Sequence, residues 1–124
     1  MGDIELLKQI TILFVEDDFI VRETTAQFLR RRCKEVYVAE NGKIGFQLYE
    51  RHSPDIVVTD IEMPVMDGLE MINQILAINP AQPIVITTGY DDERHKDSRV
   101  CIHLIKPIVD KMLVGAIIKF AQKT

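Results

Sequence analysis

The stretch Pro54-Asp55-Ile56-Val57-Val58-Thr59-Asp60-Ile61-Glu62-Met63-Pro64-Val65-Met66-Asp67-Gly68 decides how this chain folds. Ile56 to Thr59 is a short, β-branched, apolar run, which reads as a strand buried on both faces. It closes on an acid, Asp60, followed by a loop rich in Met, Pro and Gly. In an open α/β sheet, the carboxyl ends of the strands are where ligands bind. Taken alone, a strand-end Asp is a turn former or helix cap. Its meaning depends on what converges beside it.

Working outward, the same alternation of strand and helix repeats. Strands are expected near Thr11–Val15, Val36–Ala39, Ile56–Thr59, Ile84–Thr88 and Ile102–Ile105. The first, third and fourth are continuous apolar runs, as central parallel strands require. Helical stripes fill the gaps: Val21, Phe28 and Leu29; Ile44 and Leu48; Leu69, Ile72 and Leu76; and Val109, Leu113, Ala116, Ile117 and Phe120. Asn41-Gly42, Ser53-Pro54-Asp55, Asn79-Pro80 and Pro83 punctuate them. Tyr90 to Arg99 has almost no apolar face, so the helix expected there is short and exposed. Five β-α units predict one doubly wound, flavodoxin-like α/β domain with right-handed crossovers and strand order 2-1-3-4-5. That domain takes the whole chain, 1–124, with a core of about 10–121.

Composition narrows the function classes. The 124 residues carry 47% hydrophobic and 27% charged side chains, ordinary for a globular domain, with a net charge of −4. That sign argues against nucleic-acid and anionic-membrane partners. The basic run Arg30-Arg31-Arg32-Cys33-Lys34 reads as a helix C-terminus set against its negative dipole end. Cys33 and Cys101 lack CxxC spacing and read as reduced thiols. Residues 1–9 hold acids and no apolar core of a signal peptide, and no run is long enough to span a bilayer. A cytoplasmic protein is expected.

The chemistry gathers at strand ends. Glu16-Asp17-Asp18 follows the first strand. By itself such a triplet is a negatively charged helix start. In the expected order the first strand lies beside the third, and neighbouring strands are ~4.8 Å apart, so Asp17 and Asp60 must crowd. Like charges that close repel unless a cation sits between them. A hard divalent ion on oxygen ligands resolves this, and Mg2+ (or Mn2+) fits. No His or Cys cluster offers a zinc site. The fourth strand ends in Thr87-Thr88-Gly89, a hydroxyl and a small residue; the fifth ends in Lys106-Pro107, a cation. Acids, hydroxyl and ammonium on one edge match a carboxylate nucleophile, a metal and donors for an incoming phosphoryl group.

At these residues the chain resembles the receiver domain of two-component response regulators, over essentially Ile10 to Ala121. The motifs are Ile12-Leu13-Phe14-Val15-Glu16-Asp17-Asp18; Asp60 with Met63-Pro64 and Met66-Asp67-Gly68; Pro83 to Gly89; and Lys106-Pro107. The resemblance implies that Asp60 is the phosphoacceptor, taking its phosphoryl group from a sensor histidine kinase or phosphotransfer protein. It implies that Asp17 and Asp60 bind Mg2+ directly, Glu16 through water and Glu62 through its backbone carbonyl. Thr88 would hydrogen-bond the phosphoryl oxygens and Lys106 would pair with them, its bond to Pro107 often being cis.

The chain also departs from the family. Where receivers carry an aromatic switch residue on the fifth strand, this one has His103. Two readings are open: a polar replacement at a half-exposed site, or a switch sensitive to imidazole charge, whose ordinary pKa is about 6.5. The stretch from Thr88 to Lys106 is short by roughly one helical turn, which argues against the common symmetric dimer. The resemblance implies that Glu62 and Tyr90 occupy positions that, in the family, tune water access to the acyl phosphate. The function expected is a phosphorylation-controlled signalling module, not a turnover enzyme, acting through partner proteins. An alternative is a module cut from a hybrid histidine kinase or multidomain regulator. Two remoter classes are an aspartyl-nucleophile phosphohydrolase, which wants Asp where Glu62 stands, and a flavin binder, whose phosphate the Glu16-Asp17-Asp18 acids would repel.

Overall fold

The structure is a computed structural model that describes residues 2–89 and 100–122. Its strands are β1 (Thr11–Val15), β2 (Glu35–Ala39), β3 (Ile56–Asp60), β4 (Ile84–Thr88) and β5 (Cys101–Ile105), each within one residue of the predicted bounds. They form one parallel sheet in the order β2-β1-β3-β4-β5, as the alternation predicted. β3 and β4 are buried at every position, because helices cover both faces of the central strands.

Period-two alternation divides the core. One face carries Ile12, Phe14, Ile56, Val58 and Val85 against Leu29 of α2 (Phe19–Arg30) and Leu113, Ala116, Ile117 and Phe120 of α5 (Asp110–Ala121). The other carries Leu13, Val15, Val57, Ile84 and Ile86 against Tyr49 of α3 (Gly42–His52) and Met71, Ile72 and Ile75 of α4 (Gly68–Ile78). The predicted stripes hold at mid-helix and fail at the helix starts. Val21, Leu69 and Val109 are 41%, 38% and 58% exposed. All three lie in or just before a first helical turn, where the helix overhangs the end of the strands and no sheet remains to cover.

One element was not expected. A short helix, α1 (Asp3–Leu7), precedes β1 and packs on α5, burying Leu7 and extending the core below Ile10. Five residues are too few to show a helical period in sequence. The predicted helix at Tyr90 to Arg99, and Tyr90 itself, lie outside the described residues.

Local chemistry sets the joints. Asp18, Asn41 and Asp67 are N-caps, each accepting a main-chain N–H three residues on. Ser53 ends α3 in the left-handed region at φ 46. Beside it, buried Gln82 accepts from the Tyr49 hydroxyl at 3.0 Å and donates to the Asp55 and Pro83 carbonyls, tying α3, β3 and β4 together below the sheet. The basic run behaves as predicted at the end of α2: the Arg32 guanidinium donates to the Phe28 carbonyl at 2.9 Å and stacks 3.7 Å from its ring. Burial pushes the Cys33 thiol up to about 11, with the neighbouring Arg32 charge opposing, so this cysteine is inert at neutral pH.

Ile117 is fully enclosed against the sheet, whereas Ile4 on α1 is 69% exposed. Ile117→Ala is expected to lower the unfolding free energy in urea by about 2–5 kcal/mol. Ile4→Ala is expected to change it by less than about 0.5 kcal/mol.

Candidate functional site

Register brings the acids together. Val15 pairs with Thr59, so the residues that follow, Glu16 and Asp60, leave adjacent strands side by side. Carboxylate oxygens of Glu16, Asp17 and Asp60 all lie within 4.8 Å of one another. Glu16 and Asp60 are only 2% and 7% exposed, while Asp17 faces solvent. The Glu16 amide is held by the Ala39 carbonyl of β2 at 3.0 Å, and its side chain accepts from the Asp18 N–H at 3.1 Å. One Asp60 oxygen accepts from the Ile61 N–H at 2.7 Å.

Lys106 is the counter-charge. Its ammonium lies 2.8 Å from the other Asp60 oxygen and 3.3 Å from Glu16. Its amide donates to the Thr88 carbonyl at 2.7 Å, so the end of β4 aims it, and its bond to Pro107 is cis as expected. Among the described residues, two of the three clustered carboxylates thus pair with this one ammonium. Burial raises the Glu16 carboxyl above its ordinary value; the Asp18 amide and the Lys106 charge oppose, and the acids at 17 and 60 add to the rise. For Lys106 burial would lower the pKa, but its bonds and charge pairing with Asp60 and Glu16 prevail and raise it. It is therefore cationic throughout the neutral range.

The remaining expected residues fall around this centre. Thr88 is buried at the end of β4, immediately after Thr87, which pairs with Asp60. Glu62 is exposed in the following loop, outside the carboxylate cluster. His103 is half-buried in β5 opposite Ile86.

Other residues shape the site in ways that their place in the sequence did not show. The Gly68 N–H donates to the Ile61 carbonyl at 2.7 Å, and a Cβ at 68 would collide with the Asp60 carbonyl. Gly42 likewise abuts the Met66 carbonyl and donates to it at 2.9 Å, closing the loop from the α3 side. Between them Val65 adopts φ 72, an unusual conformation for a β-branched residue. Arg22, in α2, donates from Nη1 to the main-chain carbonyls of Glu16 (2.9 Å) and Asp17 (3.3 Å). A signal for it existed: a cation one turn into a helix opposes the dipole and needs another reason to be there. A cavity of about 610 Å³ runs from Glu16, Thr87 and Lys106 down between α2 and α5, over Phe14 and Val58.

Among the described residues the site offers three clustered carboxylates, two of them buried, and such oxygen donors fit a hard divalent cation better than zinc. It also offers a carboxylate oxygen of Asp60 beside an ammonium, which suits attack on an anionic electrophile.

Comparison with known proteins identifies the family. A family model described as the response regulator receiver domain matches residues 12–117. The transcriptional regulatory protein PdtaR of Mycobacterium tuberculosis is 32% identical over 111 residues, 86% of this chain and 54% of that protein. A cyclic di-GMP phosphodiesterase of Thermotoga maritima is 40% identical over 82 residues, 66% of this chain and 22% of that protein. The chain thus spans about half or less of the curated relatives' length. The crystal structure of the receiver domain from the hybrid histidine kinase CckA superposes with a TM-score of 0.77 at 30% identity, covering 90% of this chain and 99% of that one. A receiver from Methanospirillum hungatei shares the fold with a TM-score of 0.82, 23% identity, and coverage of 93% and 95%. With matching residues from β1 through most of α5, the chain belongs to the response regulator receiver domain family.

Proposed function

We propose that Asp60 takes a phosphoryl group from a phosphohistidine of a sensor histidine kinase or phosphotransfer protein, and that the phosphorylated chain changes its binding to a partner protein. The observation that carries this is the cluster itself: three carboxylates within 4.8 Å of one another and a lysine ammonium 2.8 Å from Asp60. A structural role alone would not assemble like charges in a half-buried pocket. The reading makes the chain a cytoplasmic signalling module; among the described residues no helix is long and apolar enough to cross a membrane.

In the reaction, an Asp60 oxygen attacks phosphorus. The P–N bond breaks, and its electron pair passes to the protonated imidazole, which leaves neutral. The product is an acyl phosphate on Asp60. Lys106, held by the Thr88 carbonyl, stays beside the new phosphoryl oxygens. The Thr88 hydroxyl hydrogen-bonds those oxygens, and Thr88 with His103 relays the change toward β5. Mg2+ (or Mn2+), bound by Asp17 and Asp60, by Glu16 through water and by the Glu62 carbonyl, would supply positive charge to the incoming anion.

Treatment with a small phosphodonor and Mg2+ is expected to add one acid-stable, base-labile phosphoryl group, mapped to Asp60 by mass spectrometry. Asp60→Asn is expected to gain none; modification of that variant at another residue would overturn the assignment.

Glu16 yields a second test through its raised pKa. Below the unfolded value of 4.5 the carboxyl is protonated in both states and costs nothing. As pH rises through the folded value, the folded state must ionise a buried acid while the unfolded chain already has, so stability falls. In EDTA, Glu16→Gln is therefore expected to raise Tm at pH 7, with the gain vanishing as pH approaches 4.5. Added Mg2+ is expected to raise the wild-type Tm more than that of the variant.

A further inference from the structure

We propose that Arg22 is a positioning residue for the metal-binding acids, acting on the main chain that carries them. The inference rests on the function proposed above. Its Nη1 donates to the Glu16 carbonyl at 2.9 Å and to the Asp17 carbonyl at 3.3 Å. Those carbonyls belong to the two peptide planes that flank Asp17, so one guanidinium brackets the φ and ψ of that residue. Asp17 is the exposed member of the cluster, and its main chain must do most of the aiming.

The other contacts of Arg22 do not explain its burial. Its side chain is 12% exposed, yet the Glu23 carboxylate is 3.9 Å from Nε and the Phe19 ring centroid is 5.5 Å away. The guanidinium avoids the carboxylates of Glu16 and Asp17 and spends its donors on carbonyls, leaving the acidic oxygens to a cation. The rest of the junction is built to match. The Asp18 N–H is held by the Glu16 side chain, Asp18 caps the Val21 N–H, and the Arg22 N–H returns to the Asp18 carbonyl at 2.8 Å. Arg22 closes this loop of bonds from the helix side.

Charge and position predict opposite signs, which makes the assignment testable. If Arg22 acted only as a nearby positive charge, removing it would tighten Mg2+ binding by relieving repulsion. If it positions Asp17 and Glu16, removing it loosens binding, by about 10-fold or more as for other residues that orient metal ligands. Lysine keeps the charge and can serve a carbonyl, but its ammonium on a more flexible stem holds the two carbonyls less firmly.

The experiment titrates the metal-free protein with MgCl2 at constant ionic strength, following the amide resonances of Asp17 and Asp60. The expected order of affinity is wild type, then R22K, then R22M, with circular dichroism showing the same metal-free fold. Phosphorylation of R22M by a small phosphodonor is expected to need more Mg2+ but to recover near wild-type rate at saturation. Should R22M fail to fold, R22K and R22Q carry the same comparison. Affinity in R22M equal to or tighter than wild type overturns the proposal alone. A wild-type protein whose Asp17 and Asp60 resonances ignore Mg2+ overturns the functional reading and this inference with it.

Discussion

Like-charge crowding at the carboxyl edge of the sheet is the constraint on which the rest of the molecule depends. Parallel pairing of β1 with β3 leaves Glu16 and Asp60 on neighbouring strands, and chain continuity brings Asp17 beside them. In water such a cluster would spread apart. Here the backbone cannot move: both strands are interior, Glu16 is tied to β2 through Ala39, and Asp60 is clasped by Ile61. The relief comes from outside the two strands, by an ammonium delivered from β5. Lys106 reaches there because the Thr88 carbonyl holds its amide, so four strands cooperate in one electrostatic balance.

That balance is incomplete among the described residues. One ammonium pairs with two of three clustered carboxylates, and the Glu16 carboxyl is raised by burial and by its acidic neighbours. Among the described residues the site carries a local excess of negative charge in a place where solvent screens it poorly. A cation offsets that excess directly, whereas an anion is tolerated there only with a cation beside it.

Much of this was legible in the chain. Ile56-Val57-Val58-Thr59 and Ile84-Val85-Ile86-Thr87 announce buried parallel strands because both their faces are apolar, and strand order then places the strand-end acids. Glu16, Asp17, Asp60 and Lys106 were found that way, from residue type at a strand end. What stayed hidden works through the main chain or through short elements. Arg22 binds carbonyls, which have no letter in a sequence. Gly42 and Gly68 stand out in the sequence as a turn signal and a loop motif, but the close approach they permit is visible only once the Met66 and Asp60 carbonyls are placed against them. Helix α1 is too brief for a period. The overhanging first turns exposed Val21, Leu69 and Val109 although their spacing was that of core residues.

The opposite end of the sheet is built from different forces. There Gln82 spans Tyr49, Asp55 and Pro83 with neutral hydrogen bonds in a buried setting, and no ionised group takes part in them. The same end is also pinned by one carboxylate: Asp55 accepts from the Thr11 N–H at 2.8 Å and from its hydroxyl at 3.0 Å, joining the start of β1 to the start of β3. The base thus joins β1, β3 and β4 through bonds made pairwise between near neighbours, whereas the lip gathers three acids from two strand ends around one strand-end lysine, so a change of charge there is felt by several elements at once.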